Sequence, residues 1–247
     1  GMTITGTLTA SSVKVSIADG ANVTLQDATI NGQGFSSYDY AGLNLLGSAN
    51  ITLVGTSTMS GGVEKAGIYV LENKTLTISG DGTINATGGK YAAGIGSNYR
   101  DSSGNIIITN GSATINATGG YAGAGIGSGY KAASECGNIE ITDSFTGTVN
   151  ATGHYGSPGI GSGNRSSCGS ITISGGTINA TGEDGGAVGN GAPGIGSGID
   201  GSCGAITINE SVTLVTAIKG NSAPCCINNS NRNVNVSKRK AKAKIGR

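Results

Sequence analysis

The sequence predicts an all-β protein: a right-handed, single-stranded parallel β-helix, or solenoid, of about seven coils with three short strands each. Two recurring segments support this prediction. A Gly-Ile-Gly-Ser turn recurs at intervals of 31, 34 and 35 residues, at Ile95, Ile126, Ile160 and Ile195. A Thr-Ile-Asn-Ala-Thr-Gly segment recurs in the same order, around Ile84, Ile115, Val149 and Ile178. Repeats of this length indicate stacked units that bury their apolar faces against one another.

Residues 104–136 show the elements of one coil. The segment GNIIITN alternates Ile106 and Ile108 on one face, SATINATG alternates Ile115 and Ala117, and GAGIGSG then adds Ile126 between glycines. Gly, Asn and Ser separate these three short strands, as is typical of a parallel β-helix. A propeller blade needs four strands and about 40–45 residues, so it fits less well. The right-handed winding follows from the crossover rule for parallel strands.

The same plan extends over most of the chain. Residues 75–218 hold the regular repeats, shorter coils precede them, and residues 1–20 read as an N-terminal cap coil. A last strand at 233–237 completes one predicted domain, residues 1–237. About seven coils at ~4.8 Å each give a rod roughly 35 Å long. A basic tail, residues 238–247, follows.

Composition excludes several classes of protein. Glycine accounts for 47 of 247 residues, but proline for only 3 and no Gly-X-Y period exists, so the chain is not a collagen. No apolar run reaches the ~20 residues that cross a bilayer, so we expect no membrane insertion. Residues 1–237 hold nine basic and fourteen acidic residues. This acidic body offers no basic groove, and we expect no nucleic-acid partner.

The motifs GAGIGSG, CGNIEIT and GTVNATG closely resemble the Gly-rich β-helix repeats of secreted and cell-surface proteins of gut bacteria. The resemblance covers residues 75–218 strongly and residues 20–74 weakly. It implies an extracellular or cell-surface location and a role in adhesion or carbohydrate binding.

Three cysteines occupy one slot in successive coils, each followed by glycine: Cys136, Cys168 and Cys203. They read first as small buried residues that stack, because the preceding coil has Ser103 in this slot. Neighbouring coils ~4.8 Å apart also permit a disulfide between one pair. The third cysteine then stays a thiol or reaches Cys225 or Cys226. A linear ladder cannot surround a metal tetrahedrally, so we expect no metal and no cofactor.

The Thr-x-Asn-x-Thr positions form an outward-facing polar ladder over four coils. Threonine suits strands, and stacked asparagines can bond one another along the axis, which explains the pattern structurally. Such an array could also bind ice or another surface, or a sugar.

Tyrosines give the strongest indication of a ligand. They lie four or five residues before the turn isoleucine, or four after it, at Tyr91, Tyr121, Tyr155, Tyr99 and Tyr130. We expect them to border a strip of glycines with exposed backbone, where a sugar ring can stack on the aromatic faces. Polar candidates beside them are Asn98, Arg100, Lys131, His154, Asn164 and Arg165. The alternatives are that the tyrosines only cover the strip, or that they contact a protein.

Catalysis has little support, because the acidic residues are scattered and His154 is the only histidine. Glycosidases need two close carboxylates, and lyases of this fold need clustered acids for calcium. We therefore expect a non-catalytic module that binds a polysaccharide, on a host or bacterial surface. The alternatives are a structural stalk, or ice binding through the Thr/Asn ladder.

Overall fold

The computed structural model describes residues 1–9, 13–32, 39–131, 135–186, 191–228 and 234–236. The basic tail at 238–247 lies outside the described residues. In chain order the strands are β1 (Met2–Leu8), β2 (Ser16–Ile17), β3 (Ala21–Asn31), β4 (Leu43–Leu45), β5 (Ala49–Val54), β6 (Thr56–Ser60), β7 (Ile68–Tyr69), β8 (Thr75–Gly80), β9 (Thr83–Thr87), β10 (Ile95–Gly96), β11 (Asn105–Ile108), β12 (Thr114–Tyr121), β13 (Ile126–Gly127), β14 (Glu135–Cys136), β15 (Ile139–Ile141), β16 (Thr148–His154), β17 (Ile160–Ser162), β18 (Ser167–Cys168), β19 (Ile171–Ile173), β20 (Thr177–Thr181), β21 (Ile195–Ser197), β22 (Ser202–Cys203), β23 (Ile206–Ile208), β24 (Leu214–Ile218), β25 (Ile227–Asn228) and β26 (Val234–Val236).

The strands form a parallel β-helix, as predicted. A 15-stranded sheet covers two faces: one ladder runs from β6 to β24, the other from β5 to β26, and the long strand β3 belongs to both. The third face is an eight-stranded ladder from β2 to β25 that contains the Gly-Ile-Gly-Ser turns. Among the described strands this ladder has one rung more than the seven coils predicted. A short fourth ladder, β14-β18-β22, contains the predicted column of cysteines, but its strands were not predicted from the sequence.

Equivalent residues of successive coils pair in register. Ile95 pairs with Ile126, Ile126 with Ile160, and Ile160 with Ile195. The second strand of the coil does the same, with Ile115 paired to Ile84 and Val149. All of these side chains are buried, so like residues stack on like in a narrow aliphatic core. Each coil is stabilised mainly by its two neighbours.

The asparagines of the Thr-x-Asn-x-Thr segment form an amide ladder. Asn116, Asn150 and Asn179 each donate from Nδ2 to Oδ1 of the asparagine one coil earlier, all at 2.8 Å. Asn85 begins this column. The structural explanation of the pattern is therefore confirmed: these half-buried amides bond one another along the axis.

The prediction of a glycine strip with exposed backbone is wrong. Gly96, Gly127 and Gly161 are buried and adopt φ values of 139°, 136° and 135°. A Cβ on any of them would overlap the carbonyl oxygen of the equivalent glycine one coil later. The glycines let adjacent coils approach closely, so their backbone faces the next coil and not solvent. Among the described residues, no helix is long and apolar enough to span a bilayer.

Candidate functional site

All five predicted tyrosines meet in one cluster beside the third ladder. Tyr91 is central, with ring centroids 5.0 Å from Tyr99, 5.6 Å from Tyr121 and 5.2 Å from Tyr130. Tyr121 stacks on Tyr155 at 4.0 Å and an interplanar angle of 24°. The sequence placed these residues at the edge of the turn, and the fold joins them into a continuous aromatic surface. We call them the tyrosine cluster.

The backbone fixes the cluster by connecting the loops on both sides of the turn. The amide of Tyr91 donates to the Tyr121 carbonyl at 3.0 Å, and the amide of Tyr130 donates to the Tyr91 carbonyl at 2.8 Å. Tyr91 and Tyr155 adopt left-handed φ values of 71° and 49°. Non-glycine residues rarely adopt this conformation, and it persists only where surrounding contacts enforce it. Contacts between coils therefore fix the backbone of these tyrosines, and their rings pack on one another.

A groove of about 350 Å³ lies against the cluster. Its lining consists of Tyr91, Tyr121, Ala122, Tyr130, Tyr155, Asn164, Arg165, Gly185, Ile199 and Asp200. Four of the five tyrosines contribute to this lining, and so do two of the six predicted polar residues, Asn164 and Arg165. The groove combines aromatic rings, one amide and a pair of opposite charges.

The predicted polar residues do different things. Arg100 lies over the Tyr99 ring, with its guanidinium carbon 5.0 Å from the centroid. Arg165 pairs with Asp200 across 3.4 Å, and both side chains are largely exposed, so this ion pair adds little to stability. Lys131 is half-buried and donates its backbone amide to the Asn164 carbonyl. None of these contacts prevents Arg100 or Arg165 from meeting a ligand.

Asn98 is a correction to the predicted site. It is only 5% exposed; its Oδ1 accepts from the Ala66 amide at 2.8 Å, and its Nδ2 donates to Asp101 at 2.9 Å. The first bond connects one coil to the preceding one, and the second lies within the loop that carries Asn98. Asn98 therefore supports the fold beneath the cluster, and we remove it from the candidate site.

Other groove residues occupy repeat slots that the sequence had flagged in neighbouring coils. Ile199 stands where Tyr99 and Tyr130 stand in earlier coils, and Asp200 stands where Arg100 stands. Lys90, whose ammonium lies 4.8 Å from the Tyr91 centroid, was also missed. Alignment of the slots through the fourth coil would have found Ile199 and Asp200, although neither is a residue type that suggests a ligand by itself.

Hydrogen bonding inside the cluster changes the chemistry of one phenol. A side-chain hydrogen bond with Tyr155, with smaller effects of desolvation and nearby tyrosines, raises the pKa of Tyr121 to about 12. A tyrosine phenol is neutral at physiological pH with or without this shift, so Tyr121 is a neutral hydrogen-bonding group. A phenol in this state can take part in hydroxyl networks with a polar ligand.

His154 contacts an acid at one end of the cluster. Its Nδ1 lies 2.9 Å from Glu183 Oε2, and the Tyr155 amide donates to the same oxygen at 3.4 Å. Across the part of the chain that the structure describes, no three His, Cys, Asp or Glu residues lie close enough to hold a metal ion. The site geometry thus offers stacking and hydrogen bonding.

The cysteine ladder contains a disulfide. Cys136 and Cys168 are bonded, with their Cα atoms 4.5 Å apart. Cys203 continues the column in register with Cys168 and is a buried thiol, and burial raises its pKa to about 12. Of the alternatives predicted for these cysteines, the structure therefore shows a disulfide between adjacent coils. Simple stacking of small residues describes Cys203 but not Cys136 and Cys168.

Sequence comparison agrees with this geometry. A family model described as "Beta helix repeat" matches four segments, residues 76–99, 106–130, 147–164 and 171–199. Each match ends at the residue before a left-handed corner, at Arg100, Lys131, Arg165 or Asp200. The chain is a β-helix repeat protein. No curated protein and no solved structure matches it significantly. Its β-helix repeats contain all five residues of the tyrosine cluster, so the candidate site is built from the repeat itself.

Proposed function

We propose that this β-helix repeat protein is a non-catalytic binding or adhesion module, secreted or on the cell surface, whose tyrosine groove holds a polysaccharide. The fold fits a structural or binding surface module. The observation that favours binding is the groove of about 350 Å³, lined by four tyrosine rings and three polar side chains. Sugar rings present apolar C–H faces and hydroxyl edges, and tyrosine offers a partner for both.

The disulfide supports the proposed location. Cys136 and Cys168 form a disulfide. Disulfides persist in oxidising compartments and are rare in the cytosol. The resemblance to surface proteins of gut bacteria points the same way. The partner we propose is accordingly a glycan of a host or bacterial surface.

The test is a glycan array with the wild-type chain and the double variant Tyr121→Ala/Tyr155→Ala. We expect the wild type to bind a defined class of glycans and the double variant to bind them at least tenfold more weakly, because it loses two aromatic faces (~1.4 kcal/mol or more). The matched control is Tyr69→Ala, since Tyr69 donates to the Ser102 carbonyl and does not line the groove. Equal binding by all three proteins would refute the site.

A structural stalk is the second candidate, because the rings stack on one another and the amide ladder stiffens the rod. A blank array with the wild type would favour it.

For ice binding we expect no thermal hysteresis, because the central amides already bond along the axis. Release of reducing or unsaturated sugars would contradict the non-catalytic proposal.

A further inference from the structure

One slot of the repeat differs between coils in a way that creates the groove. Four residues after the turn isoleucine, successive coils hold Tyr99, Tyr130, Asn164 and Ile199. The rings of Tyr99 and Tyr130 are nearly parallel, with an interplanar angle of 6° and centroids 6.0 Å apart. In the next coil the short side chain of Asn164 replaces a ring, and the groove lies against both Tyr130 and Asn164. The column of rings therefore ends at Tyr130, and the groove begins where a third ring would lie.

Asn164 brings an unsatisfied acceptor to this place. The residue is 8% exposed, and its Oδ1 is buried with no hydrogen-bond donor among the described residues. Its backbone is fixed, because its amide donates to Ser157 Oγ at 3.0 Å and to the Ala122 carbonyl at 3.2 Å. Buried side-chain acceptors are nearly always paired, and an unpaired one is costly. A donor on a ligand in the groove would remove that cost.

The remaining walls indicate the charge of the ligand. Arg165 and Asp200 lie on one side and bind each other, so the groove presents a cation and an anion together. Tyr155 lies on the other side, against Gly186, where a Cβ would contact its ring. A carboxylate in this groove would face Asp200 as well as Arg165. A neutral ring with several hydroxyls can donate to Asp200 and accept from Arg165.

We propose that Asn164 determines the specificity of the groove, and that the groove holds one neutral pyranose ring stacked on Tyr130. On binding, the Asn164 side chain turns toward the groove and a ring hydroxyl donates to its Oδ1, while the sugar takes the place of the next ring in the Tyr99–Tyr130 column. This inference rests on the polysaccharide-binding function proposed above. It adds the class of sugar and the residue that recognises it.

Two substitutions test the inference in opposite ways. Asn164→Tyr continues the ring column and fills the groove; we expect binding to fall more than tenfold while the melting temperature is maintained, because the two preceding coils already hold tyrosine in this slot. Asn164→Ala keeps the groove open but removes the acceptor; we expect roughly 3- to 10-fold weaker binding. Glu140→Tyr is the matched control, since it adds the same ring on the exposed face of β15.

The measurement is isothermal titration calorimetry with cello-, manno-, xylo- and galacto-oligosaccharides, and with oligogalacturonate as the anionic probe. Wild-type affinity in Asn164→Tyr, together with loss in Tyr121→Ala/Tyr155→Ala, would overturn the role of Asn164 and leave glycan binding intact. Tighter binding of oligogalacturonate than of every neutral probe would overturn the neutral class. If the wild type binds no probe here and no glycan on the array, the proposed function itself fails. Should Asn164→Tyr not fold, Asn164→Ala decides the question.

Discussion

At the scale of single residues, the repeat depends on positions where two coils come closer than side chains allow. Gly127 combines a left-handed φ of 136° with a Cβ position that would overlap the Gly161 carbonyl oxygen. Gly20 also has a positive φ, 74°, but has open space around its Cβ position. A comparison of substitutions at these two glycines therefore distinguishes the cost of backbone strain from the cost of overlap with the next coil.

We predict that Gly127→Ala lowers the free energy of unfolding by about 2–5 kcal/mol, because it adds overlap with the next coil to left-handed strain. Gly20→Ala should cost only about 1–2 kcal/mol, from strain alone. Urea denaturation of both variants checks this. Equal losses would mean that the coils can separate at Gly127 without penalty.

At the scale of elements, ladders of identical side chains connect the coils along the axis. The amide ladder does this on one face, and the bond between β14 and β18 does it covalently at the short fourth ladder. The slot before Cys136 in this ladder holds Ser103, which pairs with Cys136 in parallel. Serine is thus already compatible with the slot.

We predict that Cys136→Ser/Cys168→Ser keeps the β-sheet circular dichroism but lowers the free energy of unfolding by about 3–4 kcal/mol. The bond closes a loop across a sequence separation of 32 residues, which restricts the unfolded chain. The measurement is denaturation of the variant beside oxidised and reduced wild type. Cys203→Ser is the control, because its thiol lies outside the disulfide. A stability loss as large in the control as in the double variant would assign the effect to packing.

At the scale of the whole molecule, stability is the sum of contacts between neighbouring coils, so it should be lowest at the ends. Among the described strands, β1 pairs with β3 alone and most of its residues are exposed, whereas β12 pairs with both β9 and β16. We predict that amide hydrogen exchange is fastest in β1 and slowest in β12 and β16. Uniform protection along the chain would instead indicate all-or-none unfolding.

Most of the fold followed from the sequence, because a period of 31–35 residues fixes which residues stack and their register. The site followed in part. Tyrosines at equivalent slots had to come together, and they do. The burial of Asn98 and of the turn glycines could not be predicted, because both depend on the distance between coils and on bonds to the coil before or after. The residue pattern within one coil gives neither the distance between coils nor the bonds between them.

The in-register stacking of Ile126 on Ile160 has an evolutionary consequence. Loss of residues 127–160 would join Ile126 directly to Gly161, leave every remaining ladder in register and shorten the rod by ~4.8 Å. The same event would remove Tyr130 and Tyr155 from the groove. Duplication or loss of a single coil would therefore change the length of the rod and the lining of the groove together, while the remaining coils keep their register.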